Sequence, residues 1–215
     1  MRIILIRHYK TQSNGEGRIL GWGDSPPVAD WETNVTYVDN QLRLHDISFD
    51  AIYASDLERS RQTARVFAAS YGIDDVVIAP ALKEINYGEV QTRRKSWVAE
   101  QYPHHKKDPD LVYRGGESFR QMQRRSVDYV TSILASPPGQ TILIVSHAGV
   151  IRGLICHFLG LEYASGLKPG IPFRYIGDFS FDGINCLRYD ELGKPSGYVR
   201  NAVINIPWEA VEVVP

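Results

Sequence analysis

The chain has 215 residues, of which 43% are hydrophobic, and its formal net charge is -1 at pH 7. This length suits one large hydrophobic core and is short for two, so we expect a single domain over residues 1–215. A net charge so close to zero argues against binding to nucleic acid or to a membrane surface through bulk electrostatics, and no apolar stretch approaches the length of a membrane span.

The chain begins with a short apolar run that ends in an arginine and a histidine. Residues 3–6 (IILI) are continuously apolar, which predicts a strand buried on both faces of a parallel sheet. Arg7 and His8 follow it, and polar, turn-prone residues come next. Open α/β sheets bind their ligands at this end of a strand. Arginine offers a planar fork of donors to phosphate, and histidine can act as base, nucleophile or metal ligand.

The same design recurs far downstream. The strand-like run 141–146 (TILIVS) ends at His147 and precedes a helical pattern over residues 150–159. The backbone amides around Ala148 and Gly149 would then point out of a helix N-terminus, which is a natural anion site. A single histidine of this kind is often only a satisfied, partly buried side chain. Two histidines in equivalent positions favour a shared site at one edge of the sheet.

A third strand-to-helix unit follows the predicted strand 50–54. Ser55 is the expected N-cap, because Glu58 lies three residues on at the capping-box spacing. Arg59 then falls in the first turns of the helix and can reach over a strand end. A surface ion pair on the helix is the alternative for Arg59.

Five stretches of the chain form an ordered set of motifs from the N-terminus to about residue 160. They are Leu5-Ile6-Arg7-His8 with Thr11 and Asn14, Ser55–Ser60 with Gln62–Ala64, Leu82–Glu89, Gly115–Ser118, and Val145–Arg152. Each motif is modest alone, and the five in this order are specific. The set resembles the histidine phosphatase superfamily, also called the phosphoglycerate mutase-like family.

The resemblance implies a covalent mechanism. His8 would be the nucleophile that takes the phosphoryl group, and Glu84 would be the general acid and then the base that activates water. Arg7, Arg59 and His147 would surround the phosphate. Two guanidinium groups can neutralise the charge of a transferring phosphoryl group through bidentate, charge-assisted hydrogen bonds. On composition alone, Glu84 would be a solvated loop residue, and Glu89 is its nearby competitor for the acid role.

Two further residues complete the implied phosphate site, and two depart from the family pattern. Asn14 would donate a hydrogen bond to a phosphate oxygen, and the backbone at Ala148 would bind the anion. Tyr9 stands where the family usually has glycine, and Lys10 where an acidic or amide residue is common. The ring of Tyr9 either packs aside or narrows the pocket, so these departures bear on substrate identity rather than on reaction type.

Strand and helix patterns alternate through residue 160, which predicts a three-layer α/β/α sandwich with a mainly parallel central sheet. After Pro172 the pattern turns strand-like over residues 173–181, 184–189 and 198–206, which predicts an antiparallel C-terminal edge or hairpin. The polar segment 92–114 is the expected insert over the active site. Within it, residues 104–107 (HHKK) either bind an anionic substrate or form a solvated face.

These observations favour a metal-independent phosphomonoester hydrolase that uses no cofactor, acts on a small phosphorylated metabolite and resides in the cytoplasm. The apolar run at the N-terminus is too short for a signal peptide and carries the expected nucleophile. A phosphoglycerate-type mutase is one alternative, although the chain shows no obvious long insertion after Glu84 that would bury the site. A non-catalytic phosphate-binding module is the other, and it would not need Glu84.

Overall fold

The computed structural model describes residues 1–104, 107–162 and 171–193. The strands are β1 (Arg2–Arg7), β2 (Ala51–Ala54), β3 (Val76–Ile78), β4 (Thr141–Ser146), β5 (Ile176–Asp182) and β6 (Asn185–Glu191). The helices are α1 (Gln12–Gly15), α2 (Trp31–Leu44), α3 (Glu58–Tyr71), α4 (Lys95–Gln101), α5 (Phe119–Ala135) and α6 (Ala148–Phe158). Two short 3₁₀ turns, Pro80–Leu82 and Gly88–Val90, lie between β3 and α4.

The six strands form one sheet in the order β3-β2-β4-β1-β5-β6. The first four are parallel to one another, and β5 and β6 run antiparallel to β1 and to each other. The hairpin between β5 and β6 turns at Gly183, whose φ of 54° suits glycine. The predicted mainly parallel sheet with an antiparallel C-terminal hairpin is therefore confirmed. The expected strand over residues 198–206 lies outside the described residues.

Helices cover both faces of the sheet, which explains the continuous apolar strands. In β1, Ile3 and Leu5 join the core formed with α5 and α6, whereas Ile4 and Ile6 join the core formed with α2 and α3. Alternate side chains of a strand point to opposite faces, so a strand buried on both sides needs apolar residues at every position. The result is the predicted α/β/α sandwich.

Strand register brings the two sequence-distant histidines together. In the parallel pair β1–β4, Arg7 lies opposite Ser146, and the amide of His8 donates to the Ser146 carbonyl at 3.0 Å. His8 and His147 therefore leave the sheet side by side at its carboxyl edge.

The segment 92–114 contains α4 and shares a small hydrophobic cluster with residues that precede it in the chain. Val98 and Tyr113 from this segment pack with Ile19 and Val90 in a cluster separate from the two main cores. Among the described residues, none of the helices has the length and apolarity needed to cross a membrane.

Candidate active site

His8 is held as a neutral imidazole with one defined tautomer. It is only 3% exposed, and its Nδ1 lies 2.6 Å from the backbone carbonyl of Tyr9. A carbonyl only accepts, so Nδ1 carries the proton and Nε2 keeps its lone pair. Burial holds the pKa of His8 well below its usual 6.5, and the positive charges of Arg59 and Arg7 lower it further. This is the form in which an imidazole is a nucleophile.

His147 is fully buried beside His8, with the two ring centres 5.0 Å apart. Its Nε2 lies 2.6 Å from the hydroxyl of Ser55, which also accepts the amide of Leu57 at 3.4 Å. The Ser55 hydroxyl can donate to Nε2 or accept from it, so this contact fixes the orientation of the His147 ring. Burial, followed by the charge of Arg59, holds the pKa of His147 well below 6.5. Nδ1 has no partner in the described part of the chain.

This contact corrects the prediction that Ser55 caps α3. The helix begins at Glu58 with Leu57 as its N-cap, and no side chain makes the capping hydrogen bond. The Ser55 hydroxyl binds the His147 ring across 92 residues of sequence instead. A capping-box spacing cannot reveal such a long-range competitor for the hydroxyl.

Arg7 and Arg59 are oriented by backbone carbonyls. Arg7 donates to the carbonyl of Ile171 at 2.5 Å and stacks on the ring of Phe173 at 3.8 Å. Arg59 is 2% exposed and donates to two carbonyls of the loop before α2, at 2.6 and 2.8 Å. Burial is the main cause that lowers the pKa of both, that of Arg7 to about 10. The Nε atoms of both have no partner among the described residues, so each keeps a buried donor for an anion.

The carboxylate of Glu84 is fixed by two backbone amides. It accepts from its neighbour Ile85 at 3.0 Å and from Gly149, in the first turn of α6, at 3.3 Å. A Cβ at position 149 would come within 2.2 Å of the carboxylate oxygen Oε1, so only glycine lets the helix approach Glu84 this closely. Glu89 is turned to the Tyr102 hydroxyl instead and does not line the site.

The loop that carries Glu84 is anchored from beneath by α5. Arg125 donates to the carbonyl of Ala81 at 2.7 Å and to that of Glu84 at 2.9 Å, and it pairs with Glu117 at 2.6 Å. Glu117 in turn accepts the amide of Asn86 at 2.9 Å. Sequence reasoning missed Arg125, because its contacts with the Ala81 and Glu84 carbonyls lie more than 40 residues away along the chain. The Gly115–Ser118 motif was the only signal for Glu117.

These side chains surround one cavity of about 300 Å³. Six of the predicted site residues line it: Arg7, His8, Asn14, Arg59, Glu84 and Ala148. His147 is not among the residues that line the cavity, although its ring lies beside that of His8. The cavity is also lined by Arg152, which sequence reasoning left without a role and whose Nε has no partner in the described chain.

The outer wall of the cavity comes from the segment 92–114. Lys95, Asp108, Leu111 and Tyr113 line it. This is the position expected of an insert that selects the substrate. His104 is exposed, and residues 105 and 106, which the sequence analysis considered as substrate contacts, lie outside the described residues.

The ring of Tyr9 packs aside. It lies against Trp31 with ring centres 4.8 Å apart, and its hydroxyl donates to Gln62 at 2.8 Å. Its backbone amide is bound to the hydroxyl of Thr63 at 3.0 Å. Tyr9 therefore leaves the cavity open, although the family's usual glycine is absent.

Within the described ranges, no three His, Cys, Asp or Glu side chains are grouped as potential ligands of a metal ion. The positive charge of the cavity comes from arginines and a lysine.

Comparison with known proteins agrees with this arrangement. The protein-family model described as "Histidine phosphatase superfamily (branch 1)" matches residues 3–174 of the sequence. The chain belongs to the histidine phosphatase superfamily. A curated relative, "Probable phosphoglycerate mutase GpmB" of Escherichia fergusonii, is 32% identical over 166 residues, which cover 75% of this chain and 76% of that protein. The relative from Klebsiella pneumoniae with the same name is 33% identical over 167 residues, with the same coverage of each chain.

Solved histidine phosphatases have the same fold. The α-ribazole phosphatase from Shigella flexneri superposes with a TM-score of 0.78 at 26% identity, over 90% of this chain and 96% of that one. The mycobacterial glucosyl-3-phosphoglycerate phosphatase has a TM-score of 0.76 at 24% identity, covers 94% of this chain and 98% of its own, and bears on the fold alone. Structures similar to this chain thus include phosphatases, and sequences similar to it include probable phosphoglycerate mutases.

Proposed function

We propose that this histidine phosphatase hydrolyses a small phosphomonoester through a phosphohistidine on His8, without a metal ion. The observation that carries the proposal is the tautomer of His8. Its Nδ1 donates to the Tyr9 carbonyl, so an unprotonated Nε2 is available in a cavity that also holds two arginines and a carboxylate.

In the first step, Nε2 of His8 attacks phosphorus while the bond from phosphorus to the alcohol oxygen breaks. Arg7 and Arg59 neutralise the equatorial phosphoryl oxygens, and the ring of His147 and the side-chain NH₂ of Asn14 add hydrogen bonds. The carboxylic acid of Glu84 gives its proton to the departing alcohol oxygen. A positioned acid of this kind contributes roughly a hundred- to ten-thousand-fold to the rate.

In the second step, the Glu84 carboxylate takes a proton from water as the water oxygen attacks phosphorus. The N–P bond breaks, inorganic phosphate leaves the site, and His8 returns to its neutral form. The two amide donors of Ile85 and Gly149 keep the carboxylate in place through both steps. Ala148, at the N-terminus of α6, lines the same cavity, and a backbone amide at this position suits the phosphoryl anion.

A phosphoglycerate-type mutase is the second candidate, because the curated relatives at 32–33% identity are named probable phosphoglycerate mutases. In a mutase the phosphohistidine is attacked by a second substrate hydroxyl instead of water. The outer wall formed by segment 92–114 is compatible with either acceptor, so the two reactions are separated by product analysis.

The test measures released phosphate from a panel of phosphomonoesters in the presence of chelator. The wild type is compared with His8→Ala and, as a matched control at an exposed histidine, with His45→Ala. We expect turnover by the wild type and by His45→Ala and none by His8→Ala, with acid-labile phosphate trapped on the wild type. Conversion between 2- and 3-phosphoglycerate without phosphate release would establish the mutase. Binding of the esters with neither reaction would favour a phosphate-binding module.

A further inference from the structure

A three-residue loop before α2 contacts both Arg59 and Glu84. We call Gly21–Gly23 the strap. The carbonyls of Gly21 and Gly23 accept the two Nη groups of Arg59, at 2.6 and 2.8 Å. Between them, the indole Nε1–H of Trp22 donates to the backbone carbonyl of Glu84 at 2.6 Å. Arg59 and Glu84 belong to different elements, and the strap joins them.

The hydrogen bond from Trp22 is one of two that the backbone carbonyl of Glu84 accepts. Arg125 donates to the same oxygen at 2.9 Å from the α5 side. A carbonyl oxygen has two lone pairs, so Arg125 and Trp22 together saturate it. The Glu84 peptide is thereby held by two donors, one from α5 and one from the strap.

Trp22 itself is well oriented although its side chain is partly exposed. Its backbone amide donates to Gln91 at 2.6 Å, and the ammonium group of Lys83 lies 4.5 Å from its ring centre. Gly21 has φ of +56°, and a Cβ there would come within 2.4 Å of the Gln91 side chain. A ring that is 39% exposed contributes little to a main core, yet its only polar atom is spent on the Glu84 backbone.

We propose that Trp22 is a positioning residue that aims the carboxyl group of Glu84 at the leaving-group oxygen. The inference rests on the proposed function, because it requires Glu84 to be the general acid. Loss of the indole N–H would leave the Glu84 peptide with one donor and let the carboxyl group shift from the leaving oxygen. The defect would then appear only where proton donation matters.

The experiment varies the need for that proton. Trp22→Phe keeps an aromatic ring and removes the N–H, and Trp97→Phe is the matched control at a tryptophan of equal exposure (38%). Values of kcat/KM are measured for glycerol 3-phosphate, whose alcohol must be protonated, and for p-nitrophenyl phosphate, whose phenolate leaves without a proton. We expect Trp22→Phe to lower kcat/KM about ten-fold for the alkyl ester, because one hydrogen bond that positions the acid is lost. For the aryl ester we expect kcat/KM to fall by less than about two-fold. Trp97→Phe should match the wild type on both.

Equal losses on the two esters would overturn the proposal, since Trp22 would then act through Arg59 or the general fold. Unchanged kcat/KM on the alkyl ester would overturn it as well. Glu84→Gln, run in parallel, must show the same selectivity with a larger loss; if it does not, the acid assignment fails and the role of Trp22 fails with it.

Hydrogen exchange of the Trp22 indole N–H tests the hydrogen bond to Glu84 independently of catalysis. In ¹⁵N-tryptophan-labelled wild type, the indole N–H of Trp22, assigned by its absence in Trp22→Phe, should exchange with solvent more slowly than that of Trp97. Rapid exchange would show that this hydrogen bond does not form, and the proposal would fall. If the wild type hydrolyses none of the phosphomonoesters in the panel while this proton is protected, the proposed function fails and the strap stands as a structural link only.

Discussion

Two buried neutral histidines should make the protein unstable in mild acid. His8 and His147 have pKa values held well below 6.5 in the folded state, chiefly by burial. In the unfolded chain both take up a proton as the pH falls through about 6.5, whereas the folded protein does not. The unfolded state then binds more protons, so the free energy of unfolding must fall as the pH falls below this value. The stabilising effect is complete at higher pH.

The size of the effect follows from proton linkage. A histidine that stays neutral when folded and titrates near 6.5 when unfolded costs about 1.4 kcal/mol of stability between pH 7.5 and pH 5.5. The two residues together cost about 3 kcal/mol, which is a large share of the roughly 5–15 kcal/mol that stabilises a typical domain. His8 lines the cavity that an anion would enter, so phosphate should oppose the loss by binding the folded state.

Urea denaturation at several pH values between about 5.5 and 7.5 measures this loss. His8→Asn preserves a donor to the Tyr9 carbonyl, and His147→Gln preserves an acceptor for Ser55. Between pH 7.5 and 5.5, the free energy of unfolding of each variant should fall by about 1.4 kcal/mol less than that of the wild type. His45→Asn, at an exposed histidine, should lose as much as the wild type. If His8→Asn and His147→Gln were as acid-sensitive as the wild type, the two rings would not be neutral in the folded state, and the assignment of His8 as a ready nucleophile would be wrong.

Two further substitutions test the supports of the site. Arg125→Met removes one donor from each of the Ala81 and Glu84 carbonyls and breaks the half-buried ion pair with Glu117. It should lower the free energy of unfolding by about 2 kcal/mol in urea denaturation, and kcat/KM for alkyl phosphates by roughly ten-fold in steady-state assays. Ser55→Ala removes the hydroxyl that orients the His147 ring; it should reduce kcat about ten-fold and leave the fold intact, as read by turnover and by circular dichroism.

Each of these variants has a neighbour that isolates its effect. Arg124, the residue before Arg125 on α5, is 85% exposed, so Arg124→Met should behave as the wild type in both assays. Ser132 is an exposed serine on the same helix that bonds only within its own turn, and Ser132→Ala controls for the loss of a hydroxyl. Wild-type kinetics in Arg125→Met would show that the Glu84 loop holds its shape without α5. Unchanged kcat in Ser55→Ala would show that the orientation of the His147 ring has no part in the reaction.

The sequence was sufficient for the sheet and for the residues at strand ends. β1 and β4 are apolar at every interior position, which requires helices on both faces, and a polar residue directly after such a strand must emerge at the carboxyl edge. The sequence alone therefore predicts that His8 and His147 belong to one site. Arg59 needed one more step, the helical spacing from the end of β2.

The supports of the site left no such pattern. Trp22 and Arg125 act through single contacts to the Glu84 backbone, from a loop 62 residues away and from a helix 41 residues away. Ser55 sits where a helix cap is expected, and local spacing favours that role until the fold brings His147 within 2.6 Å of its hydroxyl. Periodicity reports which face of an element is buried, and it carries no information about a partner from a distant part of the chain.

The register between β1 and β4 links the fold to the chemistry. A one-residue slip of either strand would turn its apolar side chains to the opposite face and move one histidine along the edge by a residue. Both faces of β1 are buried, so packing against two different helical layers fixes that register. The same packing excludes water from the two imidazoles and keeps them neutral between arginines. In this protein, the core that stabilises the sheet is therefore also what sets the protonation state of the proposed nucleophile, and mutations that loosen the β1–β4 pair should reduce catalysis before they unfold the chain.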